Sequence, residues 1–428
     1  MKKEYRFDTR VIHEGPARDS WEGATLPPIF QTASHAHPTA ESLSQAFAGE
    51  GDDHVYMRLS NPTNQFLEEK LAALGSGKGA VVTSSGMAAI NNACMTLLRS
   101  GDELVAGRSL FMSTSFLFTS LFKKYGITAH LVDPLDLDAF ARAITDKTRF
   151  LYVETIGNPA MDIPDISAMA KLAHDNGLPL LVDNTLASPW LFRPIEHGAD
   201  VVIHSTTKYL SGHGAAMGGV VIDGGNFEWH PDRFPDFAPF VERKGDLAFL
   251  DRMWREHHIN FGTTQAPFHS FLTLLGLDTL ALRMERHMAN AIKVAWFLRD
   301  HPKVSWVNFP GLTDHPCFKM ASAQFQGKGF GSMLTFGLKD QAACFSMIDN
   351  LKIIRQLANL GDCKTLVIHP YSTQFASHDE AEKKRLNISP GMIRLSVGIE
   401  NWEDICSDID QALEGGTAAK PSPGKKTP

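Results

Sequence analysis

Two stretches bring together residue types able to do covalent chemistry. Val201-Val-Ile-His-Ser-Thr-Thr-Lys208 and Leu178-Pro-Leu-Leu-Val-Asp183 each hold a compact apolar run that ends in polar residues. That is the pattern of a buried parallel strand opening onto a crevice. In an open α/β sheet, ligands gather beyond the carboxyl ends of the strands. Asp183 and Lys208 are therefore expected to leave neighbouring strand ends into one crevice. A lone amine and a lone carboxylate so placed suit a cofactor with a carbonyl at one end and a basic ring nitrogen at the other. Pyridoxal 5'-phosphate has both, with Lys208 as the Schiff-base lysine and Asp183 as the partner of the ring nitrogen.

The phosphate of such a cofactor needs a seat. Thr83-Ser-Ser-Gly-Met-Ala-Ala89 reads as a strand-to-helix junction, and free N–H groups at a helix start form an anion site. Gly86 and Met87 can offer those amides behind Ser85, with the hydroxyls of Ser205 and Thr207 closing on the same anion. Ser205-Thr-Thr-Lys208 also fits a Ser-x-x-Lys acyltransferase or hydrolase with Ser205 as nucleophile. That chemistry also wants Ser-Asp-Asn and Lys-Thr-Gly partners, and the chain has neither, since Lys364-Thr-Leu366 lacks the glycine. Gly75-Ser-Gly-Lys-Gly79 and Gly327-Lys-Gly-Phe-Gly331 read as turns, because neither ends in Gly-Lys-Ser/Thr after a strand. The histidines show no metal-ligand spacing, so no metal is expected.

The elements that must position these residues alternate. Strands are expected at Gly79–Thr83, Glu103–Ala106, Ile127–Val132, Arg149–Glu154, Leu180–Val182 and Val201–Ile203. Helices are expected at 86–98, 114–125, 137–144 and 165–176. This alternation implies an α/β domain with a mostly parallel sheet covered by helices. A long helix over Leu280–Asp300 and mixed elements after it imply a smaller C-terminal α+β domain. The expected divisions are an extended N-terminal arm over 1–55 that packs on a neighbouring subunit, a cofactor-binding domain over 56–262, a C-terminal domain over 263–414, and a disordered tail over 415–428. Residues 223–242 are expected to form an irregular excursion.

With 428 residues, 43% hydrophobic and 21% charged, the chain has the composition of a globular protein of more than one core. Its net charge of −7 argues against nucleic acid or an anionic membrane as partner. No stretch approaches the about 20 apolar residues of a membrane span, and the first ten residues lack the apolar run of a signal peptide. Five scattered cysteines without Cys-x-x-Cys spacing read as reduced thiols of a cytoplasmic protein.

One ordered set of motifs runs from about Thr9 to Leu413. It comprises Tyr56-x-Arg58, Asn61-Pro-Thr63, Ser85-Gly-Met87, Glu154-Thr-x-x-Asn158-Pro, Val182-Asp-Asn-Thr185, Ser205-x-Thr-Lys208 and Arg394-Leu-Ser-Val-Gly398. The set resembles the Cys/Met-metabolism (trans-sulfuration) family of pyridoxal enzymes, of the aspartate-aminotransferase-like fold type I. Within it, Asn184-Thr-x-Ala-x-Pro189, Arg193 to Asp200, Asp223-Gly-Gly-x-Phe-x-Trp229 and Leu360 to Pro370 look most like the O-acetylhomoserine sulfhydrylase branch.

The resemblance implies a role for each matching residue. Lys208 would anchor the cofactor and carry protons, Asp183 would face the ring nitrogen, and Asn158 the ring hydroxyl. Tyr56 and Arg58 would reach the phosphate of a neighbouring subunit in a homotetramer. Arg394, with Thr365, would bind the substrate, Arg394 through a two-pronged contact on its α-carboxylate. Many family members carry a tyrosine over the ring where this chain has Phe111. Phenylalanine can stack but cannot donate a hydrogen bond or titrate, so proton transfer falls to Lys208 and Tyr56. The implied reaction is γ-replacement on O-acetyl-L-homoserine, with sulfide or a sulfur-carrier protein as donor, giving L-homocysteine. O-succinylhomoserine sulfhydrylase, cystathionine γ-synthase and methionine γ-lyase are the alternatives within the family. Phe111 also resembles the first of them, whereas Ser113, where the lyases have cysteine, counts against the last.

Overall fold

A computed structural model describes residues 5–15, 23–49 and 53–415, and the expected tail beyond Gly415 lies outside them. The chain forms two compact units. One runs to Asn158 and continues over Asp162–Met284; the other joins Pro159–Met161 to the residues from Glu285 onward.

The first unit is built on a seven-stranded sheet. Its strands are β1 (Gly79–Thr83), β2 (Glu103–Gly107), β3 (Thr128–Val132), β4 (Thr148–Glu154), β5 (Leu180–Asp183), β6 (Val201–His204) and β7 (Gly219–Asp223). They lie in the order β1-β7-β6-β5-β4-β2-β3. Only β7 runs against its neighbours; β6, β5, β4, β2 and β3 pair in parallel. The parallel strands sit where their apolar runs were read. β7 was not anticipated, because Gly-Val-Val-Ile-Asp follows two glycine-rich turns and looks like part of a loop. All five of its residues are buried, so it is a strand covered on both faces and shows no alternation.

Helices start where the side chains can cap them. Asn61 accepts the N–H groups of Thr63 and Asn64 ahead of α3 (Pro62–Leu74), with Pro62 at its first position. The N-terminal segment contains two short helices, α1 (Phe7–His13) and α2 (Ala40–Ala48), where a continuous extended arm was expected. Its extended part is tied to this same unit: Phe30 N–H donates to Thr63 Oγ1 at 3.0 Å, and Asn61 Nδ2 donates to the Phe30 carbonyl at 2.8 Å. α4 (Gly86–Leu97) lays Ala89, Ile90, Ala93, Cys94 and Leu97 into the core beside Leu104, Ala106, Leu181, Ile203 and Val221. Each larger aliphatic side chain among them contributes roughly 1.5–3 kcal/mol on burial.

Three boundaries differ from expectation. The helix expected over 114–125 starts at Met112, as α5 (Met112–Phe116), and passes through a π-helical segment, Leu117–Leu121. The excursion at 223–242 is partly ordered, with a 3-10 turn at Pro235–Phe237 and a helix from Ala238 to Lys244. The units part after Met284, within the helix Leu280–Asp300, not after residue 262. The reason is local: Asn64 Nδ2 donates to the Gln265 carbonyl at 2.9 Å, Ser270 Oγ to Asn64 Oδ1 at 2.7 Å, and Lys70 pairs with Asp278 at 3.0 Å. These bonds hold residues 264–278 on α3.

The second unit carries a five-stranded sheet, β8 (Trp306–Asn308), β9 (Met333–Gly337), β10 (Arg355–Gln356), β11 (Leu366–Ile368) and β12 (Met392–Ser396), in the order β10-β11-β12-β9-β8. All its pairings are antiparallel except β10 with β11. Leu334, Phe336, Ile393 and Leu395 pack with Val294, Leu298, Ile405 and Ile409 from its helices.

Candidate active site

At the start of α4, Ser85 is in extended conformation and its hydroxyl accepts the Ala88 N–H at 3.1 Å. The Ala89 N–H reaches the Ser85 carbonyl. That accounts for the third and fourth amides of the helix. The N–H groups of Gly86 and Met87 have no acceptor within the helix, and they lie at its positive end. Ser205 packs directly on Gly86: a Cβ placed there would meet Ser205 Cβ at 2.7 Å and Oγ at 3.0 Å. The structure thus brings a hydroxyl up to the start of the helix through a contact that only glycine permits. Ser205 is itself fixed, its N–H donating to Thr185 Oγ1 at 2.8 Å.

Thr207, expected at the phosphate, has its hydroxyl on the main chain of Gly218. Its hydroxyl accepts from the Gly218 N–H at 3.0 Å and donates to the Gly218 carbonyl at 3.2 Å. A hydroxyl has one proton to give, and here it joins the turn after β6 to the start of β7. A phosphate contact from Thr207 would need that proton to change partner.

Lys208 lies in the turn that follows β6, with its N–H on the Ser205 carbonyl at 3.2 Å and its carbonyl accepting from Gly212 at 2.8 Å. Asp183 ends β5, the strand beside β6. Asp183 and Lys208 therefore follow neighbouring parallel strands, the acid at the end of β5 and the lysine in the turn after β6. Burial pushes the Asp183 carboxyl above its ordinary value, although Thr185 donates to it, through its N–H to Oδ1 at 2.9 Å. A carboxylate desolvated in this way gains from a cationic partner. The loop behind it is stiff. Asn184 accepts from Thr155 Oγ1 at 2.7 Å and donates to the Phe192 carbonyl at 2.8 Å. Ser188, fully buried, holds a φ of 60°, a conformation that costs energy for a residue with a side chain.

A residue given no role from the sequence stands beside Asp183. Glu154 ends β4 in register with Asp183 on β5, is 5% exposed, and accepts the Phe111 N–H on Oε1 at 2.5 Å. Its acid is pushed well above the ordinary range by burial and then by the charge of Asp183. The sequence signal was available, since Glu154 opens the Glu-Thr-x-x-Asn motif at a strand end. Asn158 is buried in the loop that follows, and its main chain is a further donor to the Glu154 carboxyl. Phe111 is half-buried and precedes α5.

Tyr56 and Arg58 sit on an outer face of this unit. Tyr56 is 44% exposed, and the Arg58 guanidinium lies 5.5 Å from its ring centre while donating to the Ile259 carbonyl at 3.0 Å. In the second unit, Arg394 is 3% exposed in the middle of β12, between Thr335 and Ile368, and donates to the Asn359 carbonyl at 3.3 Å. Thr365, expected to touch substrate, is fully buried. Its hydroxyl donates to Glu400 Oε2 at 2.8 Å and accepts from Gly398 N–H at 2.9 Å, and its own N–H donates to Glu400 Oε1 at 2.6 Å. Both donors are spent on Glu400, so Thr365 acts as a latch on the loop after β12 and has no proton left for a substrate.

The donor set fits pyridoxal phosphate: two free helix amides and a serine hydroxyl for the phosphate, a desolvated acid for the ring nitrogen, and a lysine on the adjacent strand end. The "Cys/Met metabolism PLP-dependent enzyme" family matches residues 8–414. The chain is 38% identical to the O-acetyl-L-homoserine sulfhydrylase of Leptospira meyeri, covering 97% of this chain and 98% of that one. It is 42% identical to the O-acetyl-L-homoserine sulfhydrylase of Corynebacterium glutamicum over the same shares. A solved structure from Campylobacter jejuni, described as an O-acetylhomoserine (thiol)-lyase with a pyridoxyl-lysine phosphate, superposes with a TM-score of 0.92 at 32% identity. That match covers 96% of this chain and all of the other.

Proposed function

The chain belongs to the Cys/Met-metabolism family of PLP-dependent enzymes, and we propose that it replaces the γ-acetoxy group of O-acetyl-L-homoserine with sulfide, giving L-homocysteine and acetate. One observation carries the choice of substrate within the family. Relatives named for this activity match at 38–42% identity over 97–98% of both chains.

When bound, the cofactor supplies an electron sink for the substrate's Cα electrons. The residues supply the rest. Ser205 and the amides of Gly86 and Met87 would hold the cofactor's phosphate, and Asp183 would face its ring nitrogen and keep it protonated. The ring of Phe111 would cover the cofactor and exclude water, with no proton of its own to exchange. The Lys208 amine takes the protons from Cα and Cβ and returns them, since the stacking residue offers no hydroxyl. Arg394 grips the α-carboxylate. Its near-complete burial supports that assignment, because an arginine so enclosed gains most when an anion meets it.

Further parts of the proposal are a homotetramer and a cytoplasmic location. Exposure of Tyr56 and its neighbour Arg58 on one face supports their use by a second subunit. Five scattered cysteines without Cys-x-x-Cys spacing, four of them buried, support a reducing compartment. Sulfide is the simplest donor, and a sulfur-carrier protein the alternative.

Product analysis tests the reading. Purified enzyme is given O-acetyl- or O-succinyl-homoserine with sulfide or cysteine, and products are resolved by mass spectrometry. Homocysteine and acetate are expected, and Lys208→Ala should yield neither. Cystathionine or α-ketobutyrate as the main product, or preference for the succinyl ester, would refute it.

A further inference from the structure

Glu154 is a buried acid with an asymmetric environment. The main-chain N–H groups of Phe111 and Asn158 donate to its carboxyl, yet Oε2 is buried without any hydrogen-bond partner. An ionised carboxylate has acceptor sites on both oxygens and pays heavily for leaving one dry. The acid form carries no charge into that dry site: its carbonyl oxygen accepts the main-chain donors, and the one unmet O–H on Oε2 costs less than a buried charge without a cation. The arrangement matches the acid form.

The surroundings point the same way. Among the described residues no lysine, arginine or histidine forms an ion pair with Glu154. Its register partner Asp183 projects from the same face of the sheet, as does Tyr152 two residues earlier on β4. Two carboxyls on adjacent buried strand ends cannot both ionise without a large penalty, and the single proton of a pyridinium compensates only one. Asp183 keeps the charge more easily. Aspartate is the stronger acid, and Asp183 is less enclosed than Glu154.

We propose that Glu154 is a positioning residue that works as a neutral carboxylic acid, its acceptor oxygen fixing the main chain of Phe111 and its protonation leaving the negative charge of the pair to Asp183. The inference rests on the PLP assignment and not on which acyl group leaves. It supplies what Phe111 lacks. A ring without a polar atom cannot be aimed by a hydrogen bond of its own, so its placement is set through the backbone.

Glutamine resembles a neutral acid, with one acceptor oxygen, an NH2 donor group and no charge. The test compares wild-type, Glu154→Gln and Glu154→Ala holoenzymes by three measurements besides turnover. The wild-type minus Glu154→Gln infrared difference at neutral pH should contain the carbonyl stretch of a protonated carboxyl. The pH midpoint of the bound cofactor's visible absorption should be the same in wild type and Glu154→Gln. Glu154→Ala, which orphans the Phe111 amide, should bind pyridoxal phosphate about tenfold more weakly, while Glu154→Gln stays within about threefold of wild type. A missing carboxyl band, or a midpoint moved by about one pH unit or more in Glu154→Gln, would overturn the neutral state. Wild-type affinity in Glu154→Ala would overturn the positioning role. If the alanine variant fails to fold, the infrared and glutamine measurements still decide the protonation state.

Discussion

Gly86→Ala is the sharpest probe of how the phosphate seat is built. The added carbon would stand 2.7 Å from Ser205 Cβ, 3.0 Å from its Oγ and 3.1 Å from its Cα. Carbon atoms rest at about 3.5–4.0 Å, so roughly 1 Å must open between the helix start and the turn after β6. Neither side yields easily. Ser205 N–H is held by Thr185, Thr207 is locked onto Gly218, and a Cβ at Gly219 would meet the Ser85 carbonyl at 2.3 Å, so β7 presses on the helix from behind. Overpacking of this kind costs about 1–3 kcal/mol. The displacement also separates the Gly86 and Met87 amides from Ser205, weakening bonds to a charged ligand worth about 1.5–3 kcal/mol each. Pyridoxal phosphate affinity should fall by roughly 10- to 100-fold, taking about 1.4 kcal/mol per decade. Absorbance titration of the apo-protein measures the affinity, and thermal unfolding of the same sample separates it from lost stability. A double-mutant cycle gives the mechanism. Ser205→Gly removes the Cβ that the methyl introduced by Gly86→Ala would strike, so the double variant should bind better than the two single losses added together, by about 1 kcal/mol. Wild-type affinity in Gly86→Ala, or strict additivity in the cycle, would refute a seat set by this contact.

Arg394→Lys keeps the charge and loses the planar fork, so KM should rise at least about tenfold while the cofactor's absorption spectrum stays unchanged; an unchanged KM would remove the residue from the substrate's carboxylate. Thr365→Val deletes the hydroxyl that joins Glu400 to Gly398 and should lower stability by about 1–3 kcal/mol in denaturant titrations, with unaltered unfolding counting against a latch. His204 is buried in β6, and desolvation lowers its pKa from 6.5 to about 3. Between those values the unfolded chain binds a proton that the folded chain refuses. Its contribution to stability is therefore complete above about pH 6.5 and is lost as pH falls toward 3. His204→Phe should flatten the wild-type loss of stability in that window by one proton's slope, and identical slopes would contradict burial as a neutral ring.

The pieces that the sequence made legible share a physical property: each is decided by residues close together in the chain. The apolar runs ending at Asp183 and just before Ser205 declare buried strands and their open ends, and Ser85 before Gly-Met-Ala-Ala declares a capped helix. Parallel α/β connection then places Asp183 beside the turn that carries Lys208, whereas the Ser85 seat joins them only through β7, which lies between β1 and β6. What stayed hidden depends on which hydrogen bonds are already taken. Thr207 and Thr365 have the right chemistry for a ligand, but one is bound to Gly218 and the other to Glu400, partners 11 and 35 residues away. The antiparallel β7 was hidden because its apolar run directly follows glycine-rich turns and so reads as part of a loop. Glu154 was hidden for another reason. An acid at a strand end reads as a ligand for something positive, and only the register with Asp183 and the dry Oε2 reveal an acid with no cation to meet. That reverses the usual inference from residue type. The strand-end carboxyl that keeps its charge serves the cofactor, while its neighbour gives up its charge and holds in place the aromatic ring that cannot hold itself.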